Sequence, residues 1–279
     1  MQAFYFSLVV NTLYFLADVF IKLGSIQYSA ARLIFIRSLF SVVFAALMIP
    51  IFDGVFLVPD AFTFTQILAC SLLNAYGLFA YIKALQKIHF VNVAIIGIAG
   101  ALIHYLIAGI IENKLPGTWF YLASIICVLG ILIQWKDLTN KQGLWWAISS
   151  AIAWGFGYAL LSFPLQHTSA SMSTFISEFT LLITSFVLIK REDHVEQNSF
   201  KSIFYMALIA IFTIAGSVLL NISYTKFNLN LMGFMQLAFF PYSLLAGFFI
   251  FKEKLSTREW IGISLIGIGL VIYFFKVSA

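Results

Sequence analysis

Charged residues are scarce in this chain: Asp, Glu, Lys and Arg together make up 10% of its 279 residues, whereas they make up about 25% of an ordinary soluble domain. Hydrophobic residues make up 62% and aromatic residues 18%. A fold of this size has too little interior to hide so much apolar surface from water, which excludes a soluble enzyme or binding domain. We therefore expect an integral membrane protein whose solvent is the lipid bilayer.

Residues that mark catalytic, metal and cofactor sites are also rare. The two cysteines, Cys70 and Cys127, lie in apolar stretches and form no Cys-x-x-Cys pair, which argues against a disulfide framework or a zinc site. The histidines are not spaced with carboxylates as metal ligands are, and we find no Gly-rich phosphate loop or Gly-x-Ser-x-Gly motif. We expect no catalytic residues, no metal, no cofactor and no direct use of ATP, and hence no enzyme.

Ten apolar runs alternate with short polar separators, and each run is long enough for a helix that crosses the hydrocarbon core. The first run has no basic leader region and no small-residue cleavage site, so we interpret it as a retained span. The chain is predicted to be an all-α integral membrane protein with ten transmembrane helices. Their predicted ranges are 3–23, 29–51, 61–82, 90–111, 117–135, 143–163, 169–189, 201–224, 228–251 and 258–276.

The chain carries an internal repeat. Glu112 is followed seven residues later by Trp119, and the same pair recurs 141 residues further on as Glu253 and Trp260. In both copies the pair spans the junction between the fourth and fifth predicted helices of its half.

A second landmark recurs as well: Tyr81-Ile-Lys83 returns 143 residues later as Tyr224-Thr-Lys226, at the end of the third predicted helix of each half. The two landmarks agree with the helix count and indicate duplication of a five-helix unit.

An odd number of spans per repeat has a consequence for topology, because the second copy then enters the membrane from the opposite side. We predict two inverted five-helix repeats, residues 1–141 and residues 142–279. Inverted repeats are typical of secondary transporters, since two equivalent packings of the halves can open a central site to either side.

Two segments resemble the EamA repeat of the drug/metabolite transporter (DMT) superfamily: LQKIHFVNVA at residues 85–94 and FKEKLSTREWIG at residues 251–262. Arg37 and Trp154 also resemble residues that are characteristic of this family. The resemblance covers essentially the whole chain as two tandem copies, and it implies a transporter of small metabolites. Helix 4 departs from the family pattern because it lacks the common mid-helix proline, which Pro241 supplies in helix 9.

Charged side chains within apolar helices are costly in lipid and therefore tend to face cavities or partners. Glu178 lies near the middle of predicted helix 7, and Arg37 lies 141 residues earlier, in helix 2. Opposite charges at equivalent repeat positions indicate a central ion pair or the two ends of a site for a zwitterion. A buried pair that only fixes helix packing is the alternative.

Neutral polar and aromatic side chains at mid-depth are candidates for a pocket lining, since rings with a polar edge suit small metabolites. Asp18 is interpreted instead as half of an ion pair with Lys22, four residues later, at the membrane edge, with substrate binding as the alternative. For His104 a packing role is the alternative. The predicted substrate-binding residues are Glu178, Arg37, Tyr14, Asn74, His104, Trp154, Tyr158, Asn221, Gln236 and Tyr242.

The net charge of +5 does not indicate nucleic-acid binding, because Lys and Arg occur in ones and twos at the ends of apolar runs. Most of them lie on one side of the predicted helices. The positive-inside rule then places both termini outside, whereas the family resemblance implies termini in the cytoplasm. Both orientations stay open.

Together these features predict a secondary transporter that moves a small metabolite across the membrane by alternating access. The family resemblance and the Arg37/Glu178 polarity favour an amino acid or a related compound, with proton coupling through Glu178. We expect a multi-pass protein of the bacterial inner (plasma) membrane. The alternatives are a membrane-embedded lipid-processing enzyme and a non-transporting membrane accessory protein.

Overall fold

The computed structural model of the chain describes residues 2–111, 113, 116–135, 140–189, 200–227 and 239–277. All regular structure in these ranges is helical, as predicted. The helices are α1 (Gln2–Ser25), α2 (Ala30–Phe52), α3 (Ala61–Leu85), α4 (Phe90–Ile111), α5 (Thr118–Trp135), α6 (Lys141–Leu161), α7 (Ala170–Ile189), α8 (Phe200–Lys226), α9 (Phe239–Leu245, continued by a π-helical turn over Ala246–Ile250) and α10 (Thr257–Val277).

Seven of the described helices, α1 to α4 and α6 to α8, are long and apolar enough to cross a membrane. The described parts of α5 and α9 are shorter apolar helices. The chain is therefore a multi-pass membrane protein. A total of ten spans stays a prediction.

Polar side chains at several helix starts explain where the apolar runs are interrupted. Asp60 caps α3 by accepting hydrogen bonds from the backbone N–H groups of Phe62 (2.9 Å) and Thr63 (3.0 Å). The Thr63 hydroxyl also donates to this carboxylate, and that hydrogen bond holds the pKa of Asp60 below its ordinary value. Asn140 caps α6 in the same way through the N–H of Gly143.

The outward faces of α2 and α7 are apolar. Val43 and Leu47 on α2, and Ile183 and Val187 on α7, are each about half exposed. Residues four apart lie on one face of a helix, so these pairs form rows suited to contact with lipid chains. The opposite faces of the two helices pack against each other.

The bundle is built from five main helix contacts: α3 against α6, α5 against α10, α2 against α7, α4 against α6 and α1 against α8. The backbones of α4 and α6 approach closely. A Cβ atom at Gly100 would lie 2.7 Å from the carbonyl oxygen of Ala151, and one at Gly155 would lie 2.8 Å from the carbonyl oxygen of Gly100. Glycine at these positions permits the close crossing of α4 and α6 beside the central cavity.

Candidate substrate-binding cavity

A cavity of about 250 Å³ lies inside the bundle, among α1 to α4 and α6 to α9. Its volume is below the roughly 300–1,000 Å³ of pockets for drug-sized ligands, which suits a small metabolite. Much of the wall is apolar, with polar groups spaced along it. The polar lining residues are Ser7, Asn11, Tyr14, Asp18, Arg37, Asn74, Tyr81, Ser150, Trp154, Tyr158, Thr174, Ser177, Glu178, Thr213, Ser217 and Asn221.

The cavity is elongated along α1. Its lining includes residues of this helix from Ser7 to Ile21, which at a rise of 1.5 Å per residue is a length of about 21 Å. A space of this length covers much of the roughly 30 Å thickness of the hydrocarbon core.

Arg37 and Glu178 form a buried ion pair within the cavity lining. The Arg37 Nη2 atom lies 2.9 Å and 3.2 Å from the two carboxylate oxygens of Glu178. The residues are 1% and 3% exposed. The pair joins α2 to α7, and a longer contact of 3.4 Å runs from Arg37 Nη1 to the Ser41 hydroxyl. Of the two arrangements left open by the sequence, this structure contains the ion pair.

Five of the predicted neutral residues line the cavity: Tyr14, Asn74, Trp154, Tyr158 and Asn221. Hydrogen bonds hold three of them. The Tyr14 hydroxyl lies 3.1 Å from that of Ser217, and Asn221 Nδ2 donates to the Thr174 hydroxyl at 3.0 Å. Trp154 Nε1 donates to the backbone carbonyl of Asn74 at 3.3 Å. These contacts link α1 to α8, α7 to α8 and α3 to α6.

The remaining predicted residues are placed differently. His104 is fully buried away from the cavity, with its ring 5.6 Å from that of Tyr224 and with neither ring nitrogen hydrogen-bonded in the described part of the chain. Tyr242 is also outside the lining, where its hydroxyl lies 3.2 Å from that of Thr12. Gln236 lies outside the described residues.

Asp18 requires a correction of the sequence interpretation. The ion pair predicted with Lys22 is wrong, because Lys22 Nζ donates instead to the backbone carbonyls of Leu85 (2.5 Å) and Ile88 (3.4 Å). The Asp18 side chain lines the cavity beside the hydroxyl group of Tyr81. Tyr81 was likewise not predicted as a lining residue.

A second polar cluster joins α4 to the connection between α9 and α10. Glu253 accepts hydrogen bonds from the backbone N–H groups of Phe90 (2.5 Å) and Val91 (3.1 Å), at the start of α4. Glu259 accepts from Asn92 Nδ2 at 2.6 Å and also closes the first turn of its own helix, α10. We call this pair of carboxylates, Glu253 and Glu259, the α4 clamp. Negative charge at a helix N-terminus is favourable, because the first N–H groups point toward it.

No group of three or more His, Cys, Asp or Glu side chains suited to a metal ion occurs within the described ranges.

Comparison with known proteins gives a family match for the second half of the chain. Residues 141–275 match the model of the EamA-like transporter family, which belongs to the DMT superfamily. This part of the chain is therefore similar to an EamA unit. The predicted resemblance is confirmed over these residues, and a membrane transporter of the DMT kind is the function that the family indicates.

The fold has a counterpart among solved proteins. A crystal structure that is 13% identical in sequence matches with a TM-score of 0.72, over 100% of this chain and 99% of the other. At this identity the likeness concerns the fold, and it extends beyond the EamA-like half to the first half of the chain. The comparison with curated proteins found no match.

Proposed function

We propose that this protein is a secondary transporter that moves a small metabolite, with an amino acid or a related compound favoured, across the membrane by alternating access. The observation that carries the proposal is the internal cavity, which runs along α1 and reaches the Arg37–Glu178 pair in an EamA-like chain. We place the protein in the bacterial inner membrane, as a multi-pass component.

The packing of the helices supports two inverted repeats, residues 1–141 and residues 142–279. Exchange of the two halves replaces each helix by the one five places along the chain, so that α1 and α6 change places, as do α3 and α8. The α3–α6 contact then becomes the α8–α1 contact, and the α2–α7 and α5–α10 contacts are unchanged. The ion pair joins residues separated by the repeat distance of 141. A pseudo-two-fold axis between the halves would produce this set of contacts, and such symmetry allows the cavity to open to one side or the other.

Counterflow in liposomes tests the transport activity directly. Protein is reconstituted into vesicles preloaded with one unlabelled amino acid or amine at a time, and entry of the labelled compound is followed. A transporter accelerates exchange of its substrate without ATP or an ion gradient. Absence of exchange for every member of the set, with protein that remains folded and inserted, would contradict the proposal.

Glu178 is proposed to couple transport to protons, because it is an ionisable group in the cavity wall whose partner lies on the other half of the chain. Protonation of Glu178 would remove the negative charge that Arg37 bonds, and it would therefore weaken the α2–α7 contact. A conformational change could be linked to proton binding through this contact.

The internal cavity fits the two alternative functions less well. A membrane-embedded lipid-processing enzyme needs a polar cluster near one interface, whereas the polar groups here extend along the interior for about 21 Å. A non-transporting accessory protein has no need of a central space with a charged lining. The cavity therefore favours transport over both.

A further inference from the structure

Arg37 and Glu178 pair with each other in the cavity wall, whereas Asp18 has no cation beside it within the described part of the chain. Lys22, one helical turn away, is held by the carbonyls of Leu85 and Ile88. Arg37 is bonded to both oxygens of Glu178. The Asp18 side chain itself is only partly buried, and it lines the cavity.

The charged lining residues therefore carry a net negative charge. Among the described residues these are one cation, Arg37, and two carboxylates, Asp18 and Glu178, so their net charge is −1 when all three are ionised. An ionised carboxylate in an apolar interior is unfavourable, and either protonation or a partner of opposite charge relieves the cost. A ligand with one positive charge would provide that partner.

Two aromatic side chains in contact with each other, Tyr81 and Trp154, line the same cavity as this carboxylate. The Tyr81 hydroxyl lies beside Asp18, and the Tyr81 ring centroid is 5.0 Å from that of Trp154. Trp154 is fixed by its hydrogen bond to the Asn74 carbonyl. A cavity that combines a carboxylate with Tyr and Trp side chains suits an ammonium group, because such a cation is attracted both to negative charge and to the faces of aromatic rings.

Resting on the transport function proposed above, we propose that Asp18 binds the ammonium group of the substrate and that the substrate is a small organic monocation, an amine with an apolar body. A zwitterion would also require a partner for its carboxylate. Among the described lining residues the cation is Arg37, and its charge is already balanced by Glu178, whose two oxygens it bonds through Nη2. A substrate carboxylate would therefore meet no uncompensated positive charge there in this conformation. The geometry thus favours amines over amino acids.

Four probes with the same phenyl body separate the possible charge classes: 2-phenylethylammonium, phenylalanine, 3-phenylpropionate and 2-phenylethanol. Binding to the purified full-length protein is measured by isothermal titration calorimetry at neutral pH. We expect the ammonium to bind more tightly than the other three. Equal binding of all four, tighter binding of another probe, or no binding of the ammonium would overturn the inference.

Substitution at Asp18 tests whether this residue is the contact. Asp18→Asn is expected to weaken 2-phenylethylammonium binding by about 30-fold or more, because one partner of a buried charge pair is removed. Asp18→Glu keeps the charge and should retain the preference for the ammonium. Asp60→Asn is the matched control, because the same chemical change is made at an exposed helix cap outside the cavity. If Asp18→Asn fails to fold, the ranking of the four probes on the native protein still decides.

Counterflow distinguishes failure of this inference from failure of the proposed function. Exchange of a zwitterionic or neutral compound that is unchanged in Asp18→Asn would leave the transport function standing and overturn the ammonium site. Ammonium binding that depends on Asp18, without exchange of any compound, would support the site while contradicting transport.

Discussion

Arg37 and Glu178 meet in the centre of the protein although 141 residues separate them in the chain, with Nη2 of the arginine 2.9 Å and 3.2 Å from the two carboxylate oxygens. Each comes from the middle part of a long helix, and each is almost completely buried. The contact ties α2 to α7 and places both side chains at the wall of the cavity.

Removal of one member of this pair is expected to destabilise the protein. Arg37→Gln or Glu178→Gln leaves the other charge buried without a partner, which costs about 3–5 kcal/mol of unfolding free energy in comparable cases. The double variant should lose less than the sum of the two single losses, because no lone charge remains. Unfolding in mixed micelles with increasing SDS measures the three values. Additive losses would mean that the two residues do not stabilise each other.

The proposed coupling role of Glu178 predicts a separation of two transport modes. In Glu178→Gln the side chain cannot change its protonation state, so uptake driven by a pH gradient should be lost while counterflow continues. Both modes are measured in the same vesicles, and continued counterflow shows that the variant is folded. Unchanged pH-driven uptake would exclude Glu178 as the coupling group. Asp60→Asn, at the exposed start of α3, is expected to behave like the native protein in both assays.

The α4 clamp predicts a local change in hydrogen exchange. Glu253→Gln removes the negative charge of the side chain that accepts hydrogen bonds from the backbone N–H groups of Phe90 and Val91. A hydrogen bond to a charged group contributes about 1.5–3 kcal/mol to stability. The peptide that contains residues 90–92 should therefore exchange faster in deuterium oxide, as measured by mass spectrometry. Lys254→Gln is the control, because this neighbouring side chain is exposed. Equal exchange in both variants would show that Glu253 does not hold the start of α4.

Two glycines of α10 predict opposite responses to the same substitution. A Cβ atom at Gly262 would lie 2.6 Å from the backbone oxygen of Gly130 on α5, whereas one at Gly267 meets nothing within 4 Å. Gly262→Ala should cost about 1–3 kcal/mol, since the α5–α10 contact must open. Gly267→Ala should be neutral or stabilising, because alanine favours helix by about 1 kcal/mol. Thermal unfolding of the two variants measures the difference, and similar losses would contradict the observed packing.

The helices could be predicted because a span in lipid needs a long apolar run, and short polar separators interrupt such runs clearly. Each predicted helix has a described counterpart, although the described part of α9 begins only at Phe239. The partnership of Arg37 with Glu178 was suggested by their opposite charges at positions one repeat distance apart. In both cases the signal is contained in the order of residues along the chain.

The direction of individual side chains could not be predicted in the same way. Asp18 and Lys22 have the spacing of an ion pair, but the carbonyls at the end of α3 compete for the lysine, and that contact depends on tertiary packing. α4 is apolar on all sides, so its periodicity does not show that His104 faces away from the cavity. Which residues line the cavity depends on how each helix is rotated about its own axis, and the sequence alone carries only a weak signal for that rotation.

The α4 clamp has a consequence for sequence variation. Glu253 binds main-chain N–H groups, which every residue except proline possesses. Substitution of the side chains at Phe90 and Val91 therefore leaves these two hydrogen bonds available, whereas substitution of the carboxylate removes both. During divergence the start of α4 can accept many residues, while the acidic residue that secures it, from the opposite half of the chain, cannot be exchanged freely.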